Sequence, residues 1–254
     1  MLAKFQAEAV TATRRIDIPL RERVIVALDV ETVKEAEKIV EELDSLITIY
    51  KIGMQLQYNG GIPYAQKLIK KNKNVFLDSK LFDIGNTIER TVERISDMGV
   101  TFLTVHGDKQ IIESAVRAKR NQLQVLAVTV LTDNNEGDLR DMLIDLPLTE
   151  FVEFRAKVAL SAGADGVIAS GQEAKLIRQI AGQKMKILTP GIRPFGASLN
   201  DQFRVSTPTA AIAAGADYLI VGRPILNADD KRRAAEAILA EVASVSRELS
   251  LPIH

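Results

Sequence analysis

The chain contains no cysteine and only two histidines, His106 and His254, among its 254 residues. Disulfides and thiolate chemistry are therefore excluded, and a thiol-reducing compartment is compatible with the composition. A transition-metal cluster of thiols or imidazoles has nothing to be built from. Neither charge is in excess, with 33 acidic and 33 basic residues. No broad attraction to nucleic acid or an anionic membrane is expected, and any basic patch must be local. No apolar run approaches the roughly 20 residues needed to cross a bilayer. Met1 to Leu20 lacks the apolar core of a signal peptide and carries Glu8 and Asp17. Its alanine-rich start and Arg14-Arg15 predict a short helical extension, about residues 1–20, laid against the domain. A cytoplasmic protein is the expectation.

What is present is an alternation. Short apolar or β-branched runs predict strands at Val24–Asp29, Ile47–Lys51, Asn74–Ser79, Phe102–His106, Gln124–Val130, Gly166–Ala169, Lys186–Thr189 and Tyr218–Val221. Amphipathic stretches between them predict helices over Thr32–Leu43, Ile62–Lys71, Thr87–Met98, Ile111–Lys119, Thr149–Ala162, Gln172–Ile180 and Thr207–Ala214, with a last one over Asp230–Ser246. Thr32 with Glu35, and Thr207 with Pro208, mark helix starts. Gly163, Gly182 and Gly215 lie just past helix ends. Gly163-Ala-Asp-Gly and Gly215-Ala-Asp-Tyr repeat one helix-to-strand turn. Continuous apolar strands, each followed by a helix, predict a parallel α/β sheet covered by helices. A closed (β/α)8 TIM barrel fits best, and an open doubly wound sheet is the alternative. The absence of Gly-x-Gly-x-x-Gly after the first strand weakens its dinucleotide-binding version. No linker or low-complexity segment divides the chain, so 1–254 is expected to be a single domain.

In such a barrel, functional residues collect at the carboxyl ends of the strands. Strand one ends at Asp29, strand two at Lys51, and strand three at Asp78 and Lys80. Residues two apart on a strand share a face, so Asp78 and Lys80 stand side by side, and Asp83 follows three residues later. Four charges of alternating sign crowded at one mouth are costly to bury unless they pair with one another. For any one of them a solvated loop charge is the bland alternative; for the group it is not. The last two strands run into Thr189-Pro-Gly-Ile-Arg193 and Val221-Gly-Arg223, where this fold usually holds phosphate. Gly222 lets backbone approach a ligand, and Arg223 can bind phosphate oxygens bidentately. Thr132 opens a polar stretch after strand five that is either a lid or a surface excursion. His106 is expected to play a structural role, hydrogen-bonded beneath the site. Lysines expected beside Asp78 oppose a bound cation, so no metal is expected.

These blocks resemble the orotidine 5′-monophosphate decarboxylase family, from Arg23 to Leu226. The most specific match is Asp78-Ser-Lys80-Leu-Phe-Asp83-Ile-Gly-Asn86-Thr87, the family's Asp-x-Lys-x-x-Asp signature with the following Asn-Thr. Ala27-Leu-Asp29, Lys51-Ile-Gly, Val130-Leu-Thr132, Thr189-Pro-Gly-Ile-Arg193, Asn200-Asp-Gln202 and Val221-Gly-Arg223-Pro follow in order. Gly85 stands where many bacterial members carry proline. The resemblance implies cofactor-free loss of CO2 from orotidine 5′-monophosphate to give UMP, the last step of de novo pyrimidine synthesis. It implies that Lys51, Asp78, Lys80 and Asp83 form the charged network, with Asp83 and Thr87 contributed by the other subunit of a homodimer. It further implies Asp29 and Lys51 at the ribose, Thr132 at the pyrimidine, and Arg193, Gln202, Gly222 and Arg223 at the phosphate, with Asn86 also on the substrate.

The nearest alternative is the sister group acting on 3-keto-L-gulonate 6-phosphate or hexulose phosphate. Those enzymes use Mg2+ and need a carboxylate where Lys51 stands. A Schiff-base aldolase of the same fold is a second alternative, disfavoured because two acids bracketing Lys80 keep it protonated. A third is a barrel that binds nucleotide without turnover.

Overall fold

A computed structural model of the chain describes residues 18–194 and 204–250. The strands are β1 (Val24–Ala27), β2 (Ile49–Gly53), β3 (Asn74–Leu81), β4 (Phe102–Val105), β5 (Gln124–Val128), β6 (Gly166–Ile168), β7 (Lys186–Thr189) and β8 (Tyr218–Val221). Each pairs in parallel with the next, and β8 pairs with β1, so the sheet closes into a barrel. Closure excludes the open doubly wound sheet. The predicted outer helices are all found, with ends shifted by a few residues.

Alternation along the strands divides the core in two. Inward positions carry Ile25, Ile49, Phe76, Phe102, Leu126, Ile168, Leu188 and Tyr218, which pack together inside the barrel. Phe102 meets Phe76 edge-on at 6.1 Å between ring centroids, and Tyr218 at 5.4 Å, so aromatic rings fill the floor. Outward positions such as Val26, Tyr50, Leu77, Val125 and Leu219 pack with Ile39, Leu68, Val92, Ile112, Ile177 and Ile238 of the surrounding helices.

The repeated helix-to-strand turn has one mechanism in both copies. Gly163 and Gly215 adopt φ of 79° and 109°, where a side chain is strained. The aspartate two residues on then turns back to the preceding strand. Asp165 accepts from the Val125 backbone nitrogen at 2.8 Å and pairs with Lys119. Asp217 accepts from the Ile187 nitrogen at 2.8 Å and pairs with Arg178. Both motifs are thus structural, at the end of the barrel away from the strand carboxyl termini.

Two departures from expectation matter for the site. β3 runs on to Leu81, past the expected Ser79, and it is not regular there. Leu77 pairs with Leu103 and Leu81 with Val105, so β3 uses four residues where β4 uses two. The segment Asp78–Lys80 is therefore a bulge, a device that re-aims side chains. The stretch after β5 also contains a short helix, Glu136–Asp141, capped reciprocally by Asn135 and Asp138. Of the helical extension expected over about residues 1–20, residues 1–17 lie outside the described residues; Leu20–Glu22 forms one 3-10 turn. Among the described residues, no helix is long and apolar enough to cross a membrane.

Candidate active site

One step above the aromatic floor, the inward positions differ sharply between the two halves of the barrel. The inward positions above Ile25, Ile49, Phe76 and Phe102 lead to Asp29, Lys51, Asp78 and Thr104; those of β5, β6 and β8 carry Val128, Ile168 and Ile220. A cavity of about 460 Å³ opens between these halves, lined by Asp29, Lys51, Asp78 and Lys80 on one side and by Val128, Val130, Ile168 and Ile220 on the other. An apolar wall facing fixed charges keeps the local dielectric low, so each charge acts more strongly than it would in water.

The charges form a chain of contacts. Lys51 Nζ lies 2.9 Å from Asp29 Oδ1 and 3.2 Å from Asp78 Oδ2. Lys80 Nζ lies 2.8 Å from Asp78 Oδ1. Thr104 Oγ1 donates to the same Asp78 oxygen at 2.9 Å and accepts from the Lys80 backbone nitrogen at 3.0 Å. Lys80 has φ of +45°, in the left-handed region. For a residue with a side chain that costs on the order of 1 kcal/mol or more, and Thr104 opposite the bulge helps hold it. The bulge and the threonine together aim Lys80 and Asp78 at one point.

Burial sets the protonation. Lys51 is 7% exposed. Its burial favours the neutral amine, but the carboxylates of Asp78 and Asp29 outweigh that and raise its pKa. Burial of Asp78 favours the neutral acid, but the Lys51 and Lys80 ammonium groups, with the hydrogen bonds from Lys80 and Thr104, reverse the balance and lower its pKa. Asp29, Lys51, Asp78 and Lys80 together are neutral when ionised, which is what makes four charges in one cavity tolerable.

The remaining expected residues separate into two groups. Thr132, Arg193, Gly222 and Arg223 line the same cavity. Arg193 is buried, with Nη1 donating to its neighbour's carbonyl, Ile192 O, at 2.8 Å. Gly222 faces Asp29 and Ala27, so a side chain there would project into the cavity. Asp83, Asn86 and Thr87 are exposed and do not line it. Asp83 accepts from its own neighbour, the Ile84 nitrogen, at 2.7 Å. Asn86 and Thr87 lie in the first turn of the helix Gly85–Asp97. Gln202 lies outside the described residues. His106 is not beneath the site: its ring packs against Phe82 and its Nδ1 lies 2.7 Å from Asp108 Oδ2 at the half-exposed rim. The turn after β4 carries it outward, where solvated Asp108 can reach it.

Three contributors escape sequence inspection. Thr104 sits inside an apolar run, and only its inward parity with Phe102 marks it. Gly53 passes for a turn, yet a Cβ there would fall 2.9 Å from Asp29 Oδ1 and 3.2 Å from Lys51 Nζ. The apolar wall of Val128, Ile168 and Ile220 reads as ordinary strand core.

Comparison with known proteins places this geometry. Residues 22–238 match the family described as Orotidine 5'-phosphate decarboxylase / HUMPS. An orotidine 5'-phosphate decarboxylase of Afipia carboxidovorans is 51% identical over 224 residues, covering 88% of this chain and 95% of that protein. One from Rhodopseudomonas palustris is 48% identical over 230 residues, covering 90% and 97%. The crystal structure of orotidine 5'-phosphate decarboxylase from Lactobacillus acidophilus superposes with a TM-score of 0.76 at 36% identity, covering 87% of this chain and 99% of that one. With a closed barrel and near-complete coverage in both directions, the chain belongs to the Orotidine 5'-phosphate decarboxylase / HUMPS family.

Proposed function

We propose that this protein removes CO2 from orotidine 5′-monophosphate to give UMP, without a cofactor, as the last step of de novo pyrimidine synthesis. The observation that carries the proposal is the Lys80–Asp78–Lys51–Asp29 chain of contacts against an apolar wall. Loss of CO2 from C6 leaves a carbanion in the plane of the ring, where the π-system delocalises it poorly. A fixed cation beside that carbon supplies the stabilisation. Lys80 is that cation and afterwards delivers the proton to C6. Asp78 lies against the departing carboxylate, and the repulsion between them is relieved as CO2 leaves. Lys51 and Asp29, already paired, meet the ribose hydroxyls.

The apolar wall suits one face of a pyrimidine, and Thr132 beside it reaches the ring's polar edge. Arg193, Gly222 and Arg223 hold the phosphate, with Gln202. That end is remote from the chemistry, so its binding energy can order the site around the ring. Asp83 and Thr87, with Asn86 between them, complete the neighbouring site of a homodimer. Their absence from this chain's cavity and the exposed apolar pair Phe82 and Ile84 flanking Asp83, 68% and 72% exposed, support that arrangement. The balance of charge and the absence of an apolar span among the described helices support a cytoplasmic enzyme that engages neither nucleic acid nor membrane.

The family also includes the sugar-phosphate branch, whose Mg2+ needs a carboxylate at the end of β2. Here Lys51 Nζ fills the space between Asp29 and Asp78, and that charge opposes a divalent ion. An absorbance assay of purified protein with orotidylate, with and without EDTA, tests the proposal. Turnover that survives the chelator is expected; turnover of a hexulose phosphate instead, abolished by chelator, would reassign the protein.

A further inference from the structure

Arg204 and Glu173 form an ion pair that the chemistry above does not use. Arg204 Nη1 donates to Glu173 Oε1 at 2.8 Å, and both side chains are at least nine-tenths buried. Neither residue lines the cavity. The second nitrogen, Nη2, donates to the carbonyl of Leu131 at 2.5 Å and lies 3.4 Å from that of Val130. Val130, Leu131, Thr132 and Asp133 are the cavity-lining residues of the loop after β5. Leu131 O also accepts from the Asn134 nitrogen at 3.0 Å, so the arginine braces a turn that presents Thr132.

The pair is not arranged for stability alone. Glu173 Oε2 and Arg204 Nε are buried without a hydrogen-bond partner among the described residues. A guanidinium and a carboxylate can pair through two bonds, which would satisfy both atoms. Here one arm of the fork is directed to a loop carbonyl instead. Replacing a buried ion pair by apolar side chains commonly leaves stability unchanged or raised. The arm of Arg204 that reaches Leu131 O points to a geometric task for this pair.

The surroundings define that task. Glu173 follows β6, where Ser170 Oγ donates to Arg204 O at 3.4 Å, and Gly171 lies so close to Ser206 that a Cβ would fall 2.6 Å from the serine's. Arg204 therefore ties the loop after β5 to a platform made by the loop after β6. The backbone beside Arg193 is held separately: Arg193 N donates to Ser206 O at 2.9 Å and Ser206 N to Gly191 O at 3.2 Å. Those bonds do not depend on the Arg204 side chain.

We infer that Arg204, anchored by Glu173, is a positioning residue that sets the loop after β5 for recognition of the substrate's base, and not of its phosphate. This rests on the proposed function, because it assumes that a pyrimidine nucleotide occupies the cavity.

Calorimetric titration with UMP and with ribose 5-phosphate, which lacks the base, tests it. The Arg204→Met/Glu173→Met protein removes both charges and so leaves no unpaired buried ion. It should bind UMP about tenfold more weakly or worse, equivalent to about 1.4 kcal/mol, while ribose 5-phosphate affinity stays within about twofold. Equal weakening of both ligands, or unchanged UMP binding, overturns the inference. Should the double variant not fold, Arg204→Lys decides the same question. Its single ammonium keeps the pair with Glu173 but cannot also reach Leu131 O, so the loss should again be confined to UMP. Equal loss, or none, overturns the inference there too. Wild-type protein that fails to bind UMP would remove the functional proposal itself and this inference with it.

Discussion

Thr104 Oγ1 sits 2.9 Å from Asp78 Oδ1, and the same oxygen accepts the Lys80 backbone nitrogen at 3.0 Å. One buried hydroxyl thus fixes both the carboxylate and the unusual backbone of the lysine beside it. In Thr104→Val the shape is kept and the hydroxyl lost. The Lys80 amide is then left unsatisfied, which costs about 1–3 kcal/mol of stability. Turnover should fall further than substrate affinity, because on the proposed mechanism the groups displaced face the reacting carbon. Steady-state kinetics with a thermal melt checks this; unchanged kcat would mean that Thr104 only packs.

On the proposed mechanism, Lys80→Ala removes the cation that meets the developing carbanion and the proton it receives. General acid catalysis contributes roughly 10²–10⁴-fold and a preorganised electrostatic contact roughly 10²–10³-fold. A drop in kcat of about four orders of magnitude or more is expected, in a protein whose circular dichroism is unaltered. Near-normal turnover would refute the role given to Lys80.

Gly53→Ala tests the part of the array proposed to meet the ribose. The new Cβ would stand 2.9 Å from Asp29 Oδ1 and 3.2 Å from Lys51 Nζ. One of the two must shift, and because both atoms are the tips of flexible side chains the change falls on the contact more than on stability. Because Asp29 is the more exposed partner, with 52% of its side chain accessible, it should be the one that moves. A crystal structure of the variant would show the Asp29–Lys51 contact lengthened, and KM should rise more than kcat falls. An intact 2.9 Å contact would count against the tight fit.

The charged array gives stability a defined pH dependence. Asp78 has a lowered pKa in the folded state. Its contribution is therefore present above the ordinary carboxylate value of about 4 and is lost as pH falls through the lower folded value. Lys51 has a raised pKa. Its contribution is complete below about pH 10 and is lost as pH rises through the folded value. Urea unfolding of wild type and Asp78→Asn should thus differ most near neutrality, with the gap closing from about pH 4 downward. A gap that widened in acid would mean that the sign is wrong.

Shared sites predict rescue in hybrids. If Asp83 serves the neighbouring cavity, mixing Asp83→Asn with Lys80→Ala protein leaves one site per heterodimer with both native groups. Activity should reappear in the mixture once subunits exchange, up to about a quarter of wild type per site if pairing is random. No recovery, with exchange verified by native mass spectrometry, would sink the trans arrangement.

The amino-acid sequence alone determined a parallel α/β sheet covered by helices, with the closed barrel as its better fit, and the β8–β1 pairing of the structure closed it. Strands such as Val24–Ala27 and Tyr218–Val221 are apolar on both faces, and each is followed by an amphipathic helix. It also determined which ionisable residues lie at the mouth, since a charge directly after an apolar strand has few other places to be. Local order carried that much, through side-chain alternation and capping.

The tertiary structure decided how those charges meet. The bulge in β3 depends on a mismatch with β4, a neighbour more than twenty positions away, so Lys80's positive φ and its clamp by Thr104 were invisible in one dimension. Closure of the ring likewise chose which glycine presses on Asp29 and which loop Arg204 braces. Register between strands and the packing of loops from different βα units are long-range quantities; a single chain read linearly holds their ingredients but not their distances.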